Sequence, residues 1–135
     1  MEKNMQNFTD KTAEQFYKKF YADIWSHFNS ENYDKYYDKS VQAYSEDLTL
    51  NYDMLLAHLK NCGERYAYAT AKYHKITAPS TNRIKVWMTQ TAYTADDKPV
   101  MHLETIVTYE IVNDKIKRLW FMWDSPVTDV MEVLK

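Results

Sequence analysis

One glycine, one cysteine and three prolines are all that this chain of 135 residues holds of the residues that bend or cross-link a backbone. With Gly63 alone there can be no glycine-rich loop to cradle phosphates, which excludes nucleotide-dependent chemistry of the usual loop types. Cys62 alone excludes an internal disulfide. Beside Gly63 it reads as a small buried residue next to a helix C-cap rather than a nucleophile, because no His or Asp adjoins it in a catalytic arrangement. No apolar run approaches the roughly 18 residues of a membrane span, and Met1-Glu2-Lys3-Asn4 leads into polar residues, so a cytoplasmic chain without a membrane partner is expected. A basic stripe is missing too. Lys and Arg (17) are interspersed with Asp and Glu (19) for a net charge of −2, and nucleic acid is not an expected partner.

What is abundant is aromatic: 12 Tyr, 4 Trp and 5 Phe. Rings at this density must fill a core, line a cavity or cover an interface, since an exposed surface of that kind would aggregate. The length suits one domain over residues 1–135. Thr12 with Gln15 makes a capping box, and Phe16, Tyr17, Phe20, Tyr21, Ile24, Trp25 and Phe28 follow at helical spacing, predicting a helix over 12–28. After the turn Asn29-Ser30-Glu31-Asn32, a second helical stripe is expected from Tyr33, Tyr36, Tyr37, Val41 and Tyr44. Leu48-Thr49-Leu50 reads as a short strand, and Asn51 caps a third helix carrying Leu55, Leu56 and Leu59 that Gly63 closes. Beyond Gly63 the period changes to two, giving strands over 66–76, 83–93, 101–112 and 115–124 joined by short turns. Ser125-Pro126 then opens a short helix over about 126–134, with Val127, Val130, Met131 and Leu134 as its apolar stripe. Helices first and antiparallel strands second is the pattern of an α+β fold.

The two-residue turn Asn113-Asp114 sets Val112 opposite Lys115 and fixes the pairs behind it. A regular ladder puts Tyr109 opposite Arg118, Val107 opposite Trp120, Thr105 opposite Met122 and Leu103 opposite Asp124 on one face. Ile106, Leu119, Phe121 and Trp123 fall on the other, together with His102 and Glu104. A second face this apolar predicts a homodimer. Two registers of strand 83–93 remain open, and they send Trp87 to opposite faces.

The ending Tyr109-Glu110-Ile111-Val112-Asn113-Asp114-Lys115-Ile116-Lys117-Arg118-Leu119-Trp120-Phe121-Met122-Trp123-Asp124, with Tyr44-Ser45-Glu46-Asp47-Leu48-Thr49-Leu50 ahead of the third helix, resembles the SnoaL-like branch of the nuclear-transport-factor-2-like superfamily. The resemblance covers about residues 12–127. It implies a cone-shaped, cystatin-like roll with N-terminal helices on a curved sheet and a central pocket. In members that are enzymes, such as polyketide cyclases and ketosteroid isomerases, an acid or base sits in that pocket, and Asp124 matches the cyclases' strand-end Asp. Asp114 stands where the family usually has Gly, and Asn51-Tyr52 where it often has Gly.

Two functional readings follow. In the first, Asp124 is a desolvated proton carrier for cofactor-free cyclisation, isomerisation or dehydration of an apolar carbonyl compound. Tyr17, Tyr21, Trp25, Tyr109, Arg118, Trp120 and Met122 then contact the ligand. In the second, the chain is a non-catalytic ligand-binding or dimerisation module, and Asp124 simply caps the chain ahead of Pro126. Neither reading calls for a metal: the four histidines lie on different elements, and His102 with Glu104 lacks a third ligand.

Overall fold

The computed structural model describes residues 7–46 and 48–123. Asp124 and the expected helix 126–134 lie outside the described residues, as do the side chains of Met122 and Trp123.

Helix α1 spans Asp10–Asp23. Its capping box lies three residues earlier than expected, with Thr9 Oγ1 accepting from the Thr12 amide at 3.2 Å and Thr12 Oγ1 accepting from the Thr9 amide at 2.9 Å. Asp10 in the first turn explains the earlier start, since its Oδ1 also accepts from the Ala78 amide at 2.8 Å and so ties the helix end to the sheet. The helix stops at Asp23, short of the expected Phe28. Residues 24–29 form a hydrogen-bonded turn in which Ser26 N donates to Tyr21 O at 2.9 Å and Asn29 N donates to Ile24 O at 2.8 Å.

The expected second helix is mostly a strand. Only Tyr33–Tyr36 is helical (α2), and Tyr37–Tyr44 is strand β1. The spacing of Tyr33, Tyr36, Tyr37, Val41 and Tyr44 suits either period. Pairing decided it: β1 runs parallel to the last strand, with Ala43 opposite Leu119, and there supplies backbone partners that a helix could not. Strand β2 is Thr49–Leu50, and α3 spans Tyr52–Arg65 with Asn51 as its cap. Gly63 does not close α3. It lies inside the last turn, with ordinary helical backbone.

Strands β3 (Tyr68–Ser80), β4 (Arg83–Tyr93), β5 (Pro99–Val112) and β6 (Lys115–Trp123) complete a six-stranded sheet of order β2-β1-β6-β5-β4-β3. It is antiparallel except at β1–β6, hence mixed rather than purely antiparallel. The helices pack on one face of this sheet, giving the expected α+β architecture around a core that includes Phe20, Ile24, Leu59, Val86 and Ile111.

The register of β6 corrects the regular ladder. Val112 opposes Lys115 and Ile111 opposes Ile116, but Glu110 opposes Arg118, leaving Lys117 as the extra residue of a β-bulge. One extra residue inverts every later side chain. Tyr109 therefore pairs with Leu119, Val107 with Phe121 and Thr105 with Trp123. Leu119 and Phe121, each 7% exposed, belong to the core, while Arg118 and Trp120 move to the outer face. The β4–β5 register is settled as well: Trp87 opposes Ile106 on the outer face and is 41% exposed. Among the described residues, no helix is long and apolar enough to cross a membrane.

Candidate functional site

A cavity of about 140 Å³ opens between the inner sheet face and the helices. Three elements advance along it together. On α1 and the turn after it come Tyr17, Tyr21, Trp25 and Phe28; on β4 come Met88, Gln90 and Ala92; on α3 and at its C-cap come Leu55, His58, Cys62 and Tyr66. Cross-contacts fix their order. Tyr17 Oη lies 3.8 Å from Met88 Sδ, Tyr21 Oη donates to Gln90 Oε1 at 3.1 Å, the Trp25 ring lies 5.8 Å from that of His58, and Phe28 lies 6.2 Å from Tyr66. Four residues of extended strand span about 13 Å, so Met88 to Ala92 measures a tube rather than a dimple.

The Tyr17 end is closed. Tyr17 and Tyr109 are 2% and 6% exposed, and their hydroxyl oxygens are 3.0 Å apart. Burial, with neighbouring phenols adding to it, holds both pKa values well above the ordinary tyrosine value, so both are neutral O–H groups over the physiological range. Two such hydroxyls share one proton between them, and the second must point elsewhere. Its neighbour on the protein side is the Met88 thioether, a weak acceptor. A carbonyl oxygen placed there would be a far better one.

Midway along the tube, Gln90 accepts from Tyr21 and donates to Thr105 Oγ1 at 3.4 Å. Tyr37 Oη accepts from Trp25 Nε1 at 3.2 Å. Cys62 is buried, and desolvation pushes its thiol up to about 12, so it stays protonated; its Sγ lies 3.9 Å from His58 Nε2. The other end is lined by Phe28, Tyr66 and Met101, with Tyr66 Oη 3.8 Å from Met101 Sδ. Apart from these groups the walls are apolar.

Of the residues singled out in the sequence, Tyr17, Tyr21, Trp25 and Tyr109 line this cavity. Arg118 does not: it lies on the outer face, half exposed, with Nε 2.8 Å from Glu110 Oε1. Trp120 stacks there on Tyr44 at 5.9 Å, with the Arg83 guanidinium 5.0 Å from its ring. The bulge at Lys117 is the reason for both displacements. Leu119 and Phe121, assigned from the regular ladder to a dimer face, line the cavity instead. His102 and Glu104 point outward, His102 Nδ1 lying 3.1 Å from Thr91 Oγ1 and Glu104 accepting from Trp87 Nε1 at 2.7 Å; His102 also reaches the cavity rim. Among the described residues, no three His, Cys, Asp or Glu side chains gather into a metal-binding cluster.

Met88, Gln90 and His58 were missed by the sequence reading. The signal for the first two was present, since Ile84, Val86, Met88 and Ala92 alternate and Gln90 is the one polar interruption of that inner row.

No family model matches the chain, and no curated protein matches it in sequence. Solved structures match it in shape. AclR from Streptomyces galilaeus, a candidate hydroxylase, superposes with a TM-score of 0.72 at 14% identity, over 92% of this chain and 98% of that one. A SnoaL-like polyketide cyclase from Agrobacterium tumefaciens gives 0.65 at 11% identity, over 89% and 97%. The fold is the nuclear-transport-factor-2-like fold of SnoaL-like domains. A de novo designed protein with the same fold gives 0.66 at 15% identity, over 96% and 97%. That designed and natural chains share the nuclear-transport-factor-2-like fold shows that the architecture supplies a pocket and not a reaction.

Proposed function

We propose that this chain binds an apolar small molecule bearing a carbonyl oxygen, and that the oxygen is held at the closed end of the tube by the Tyr17–Tyr109 hydroxyl pair. The observation carrying this reading is the Tyr17–Tyr109 hydroxyl pair, with the Met88 thioether as the neighbour of Tyr17, at the end of a channel whose polar groups elsewhere include the Tyr21–Gln90–Thr105 chain. Neutral donors of this kind stabilise negative charge developing on a carbonyl oxygen, so the same site supports cofactor-free acid–base chemistry such as cyclisation, isomerisation or dehydration. Asp124, the proton carrier expected from the sequence, lies outside the described residues, and its part in that step is put to the substitution test below.

The test uses methyl naphthyl ketone and, as the match without an oxygen, naphthalene. Replacing both Tyr17 and Tyr109 by Phe should weaken ketone binding about fivefold and leave naphthalene unchanged, as expected for a lost hydrogen bond of about 1 kcal/mol. Equal loss for both probes would sink the reading. Mass spectrometry of the copurified ligand then supplies a substrate for Asp124→Asn. Retained binding with turnover lowered roughly 100-fold or more supports proton transfer, whereas unchanged turnover leaves ligand binding alone.

The outer sheet face supports a second copy as partner. After the bulge is taken into account it still carries Trp87, Ile106 and Trp120, though not Leu119 and Phe121. Sedimentation at micromolar concentration should show a dimer, and Trp87→Glu should convert it to a monomer; a monomeric parent protein refutes the proposal.

A further inference from the structure

The turn after α1 holds an aromatic residue in a conformation that aromatics avoid. Phe28 has φ of 53°, in the left-handed region where a non-glycine side chain is strained. Hydrogen bonds on both sides pin the turn: Asn29 N donates to Ile24 O at 2.8 Å, and Ala69 N on β3 donates to Ser26 O at 2.7 Å. The chain's single glycine lies directly against it. A Cβ at Gly63 would meet Phe28 Cβ at 3.2 Å and Phe28 O at 3.7 Å, so α3 approaches the turn as closely as it does only because position 63 has no side chain. Gly63 has helical backbone and needs no glycine for its own conformation. Among the described residues, close approach to Phe28 is what its missing side chain allows.

Phe28 and Tyr66, 6.2 Å apart between ring centres, line the end farthest from the Tyr17–Tyr109 pair, where Tyr66 also meets Met101. We infer that Phe28, held in left-handed backbone by the hydrogen-bonded turn and packed against the bare face of Gly63, is the residue that sets how long a ligand the cavity accepts. This rests on the binding reading above. With the ligand's oxygen anchored at the closed end, its far end must come up against the Phe28 ring, and a side chain fixed by strain and packing cannot swing aside as a freely rotating one would.

A series of naphthyl alkyl ketones of increasing alkyl length reads this directly by calorimetry. In the parent protein each added methylene should tighten binding about fourfold until a sharp break, beyond which affinity falls. Phe28→Ala should move the break to longer ketones. Phe28→Leu, which keeps an apolar filler, should give an intermediate break, and it covers the case in which the alanine variant folds poorly. Gly63→Ala should displace the break at unchanged shortest-ketone affinity. A break at the same length in the parent, Phe28→Leu and Phe28→Ala proteins overturns the inference while the binding reading stands. Failure of every ketone to bind the parent protein overturns both.

Discussion

Phe121→Asp is expected to leave little folded protein at room temperature, whereas Trp120→Asp, at the neighbouring position, should cost only about 1 kcal/mol. The contrast follows from the bulge at Lys117. Phe121 is 7% exposed and faces the cavity and core opposite Val107, so an aspartate there loses a large apolar side chain and strands a carboxylate. The first effect costs about 3–5 kcal/mol and the second adds several more unless the group protonates. Together they are comparable to the whole stability of a domain of this size, about 5–15 kcal/mol. Trp120 lies on the outer face against Tyr44 and Arg83, so its loss removes one stacking and one cation–π contact at a half-buried site. Urea denaturation of both variants checks this. A regular β5–β6 ladder would give the opposite order, with Trp120 the intolerant position.

Phe20→Ala should lower stability by about 3–5 kcal/mol and weaken ketone binding as well, although Phe20 is not among the cavity-lining residues. Phe20 is fully buried and forms the node beneath the closed end, its ring 5.3 Å from Tyr17, 5.3 Å from Tyr36, 5.8 Å from Tyr37 and 5.8 Å from Tyr109. Removing it opens a void behind both hydroxyl-bearing rings, which can then tilt away from each other, and the 3.0 Å oxygen separation is lost. Denaturant midpoints measure the first effect. Methyl naphthyl ketone titration measures the second, in conditions where the variant is still folded. Unchanged ketone affinity in a destabilised Phe20→Ala protein would show that the hydroxyl pair does not depend on this packing.

Much of the site's helical wall was legible in the sequence. Tyr17 and Tyr21 stand four apart, which puts them on one helix face whatever that face meets, and Trp25, four further on in the turn after α1, continues their row into the cavity. The tight turn at Asn113-Asp114 was equally legible, because both residues tolerate the left-handed backbone that they adopt, with φ of 59° and 63°. The sheet wall was legible only as far as the bulge. Its trace is the charged doublet Lys117-Arg118 between Ile116 and Leu119, a spacing of three where a regular strand would show two or four. A reading that counts pairs from the turn passes over it, and every side chain beyond then changes face.

Local signals thus determined the helix faces, the capping at Asn51, the turn at Asn113-Asp114 and the run of strands after α3, since each depends on neighbours within a few residues. Tertiary structure decided the rest. Tyr37–Tyr44 became a strand because β6 needed a backbone partner, which no local propensity records. Lys117 became a bulge because Leu119 and Phe121 gain more by burial beside Val107 and Tyr109 than a regular ladder gains from one more pair. Gly63 turned out to serve a contact with Phe28, 35 residues earlier in the chain, and not the end of its own helix. A glycine's value to a close approach lies in the partner, and the partner is chosen only when the chain folds.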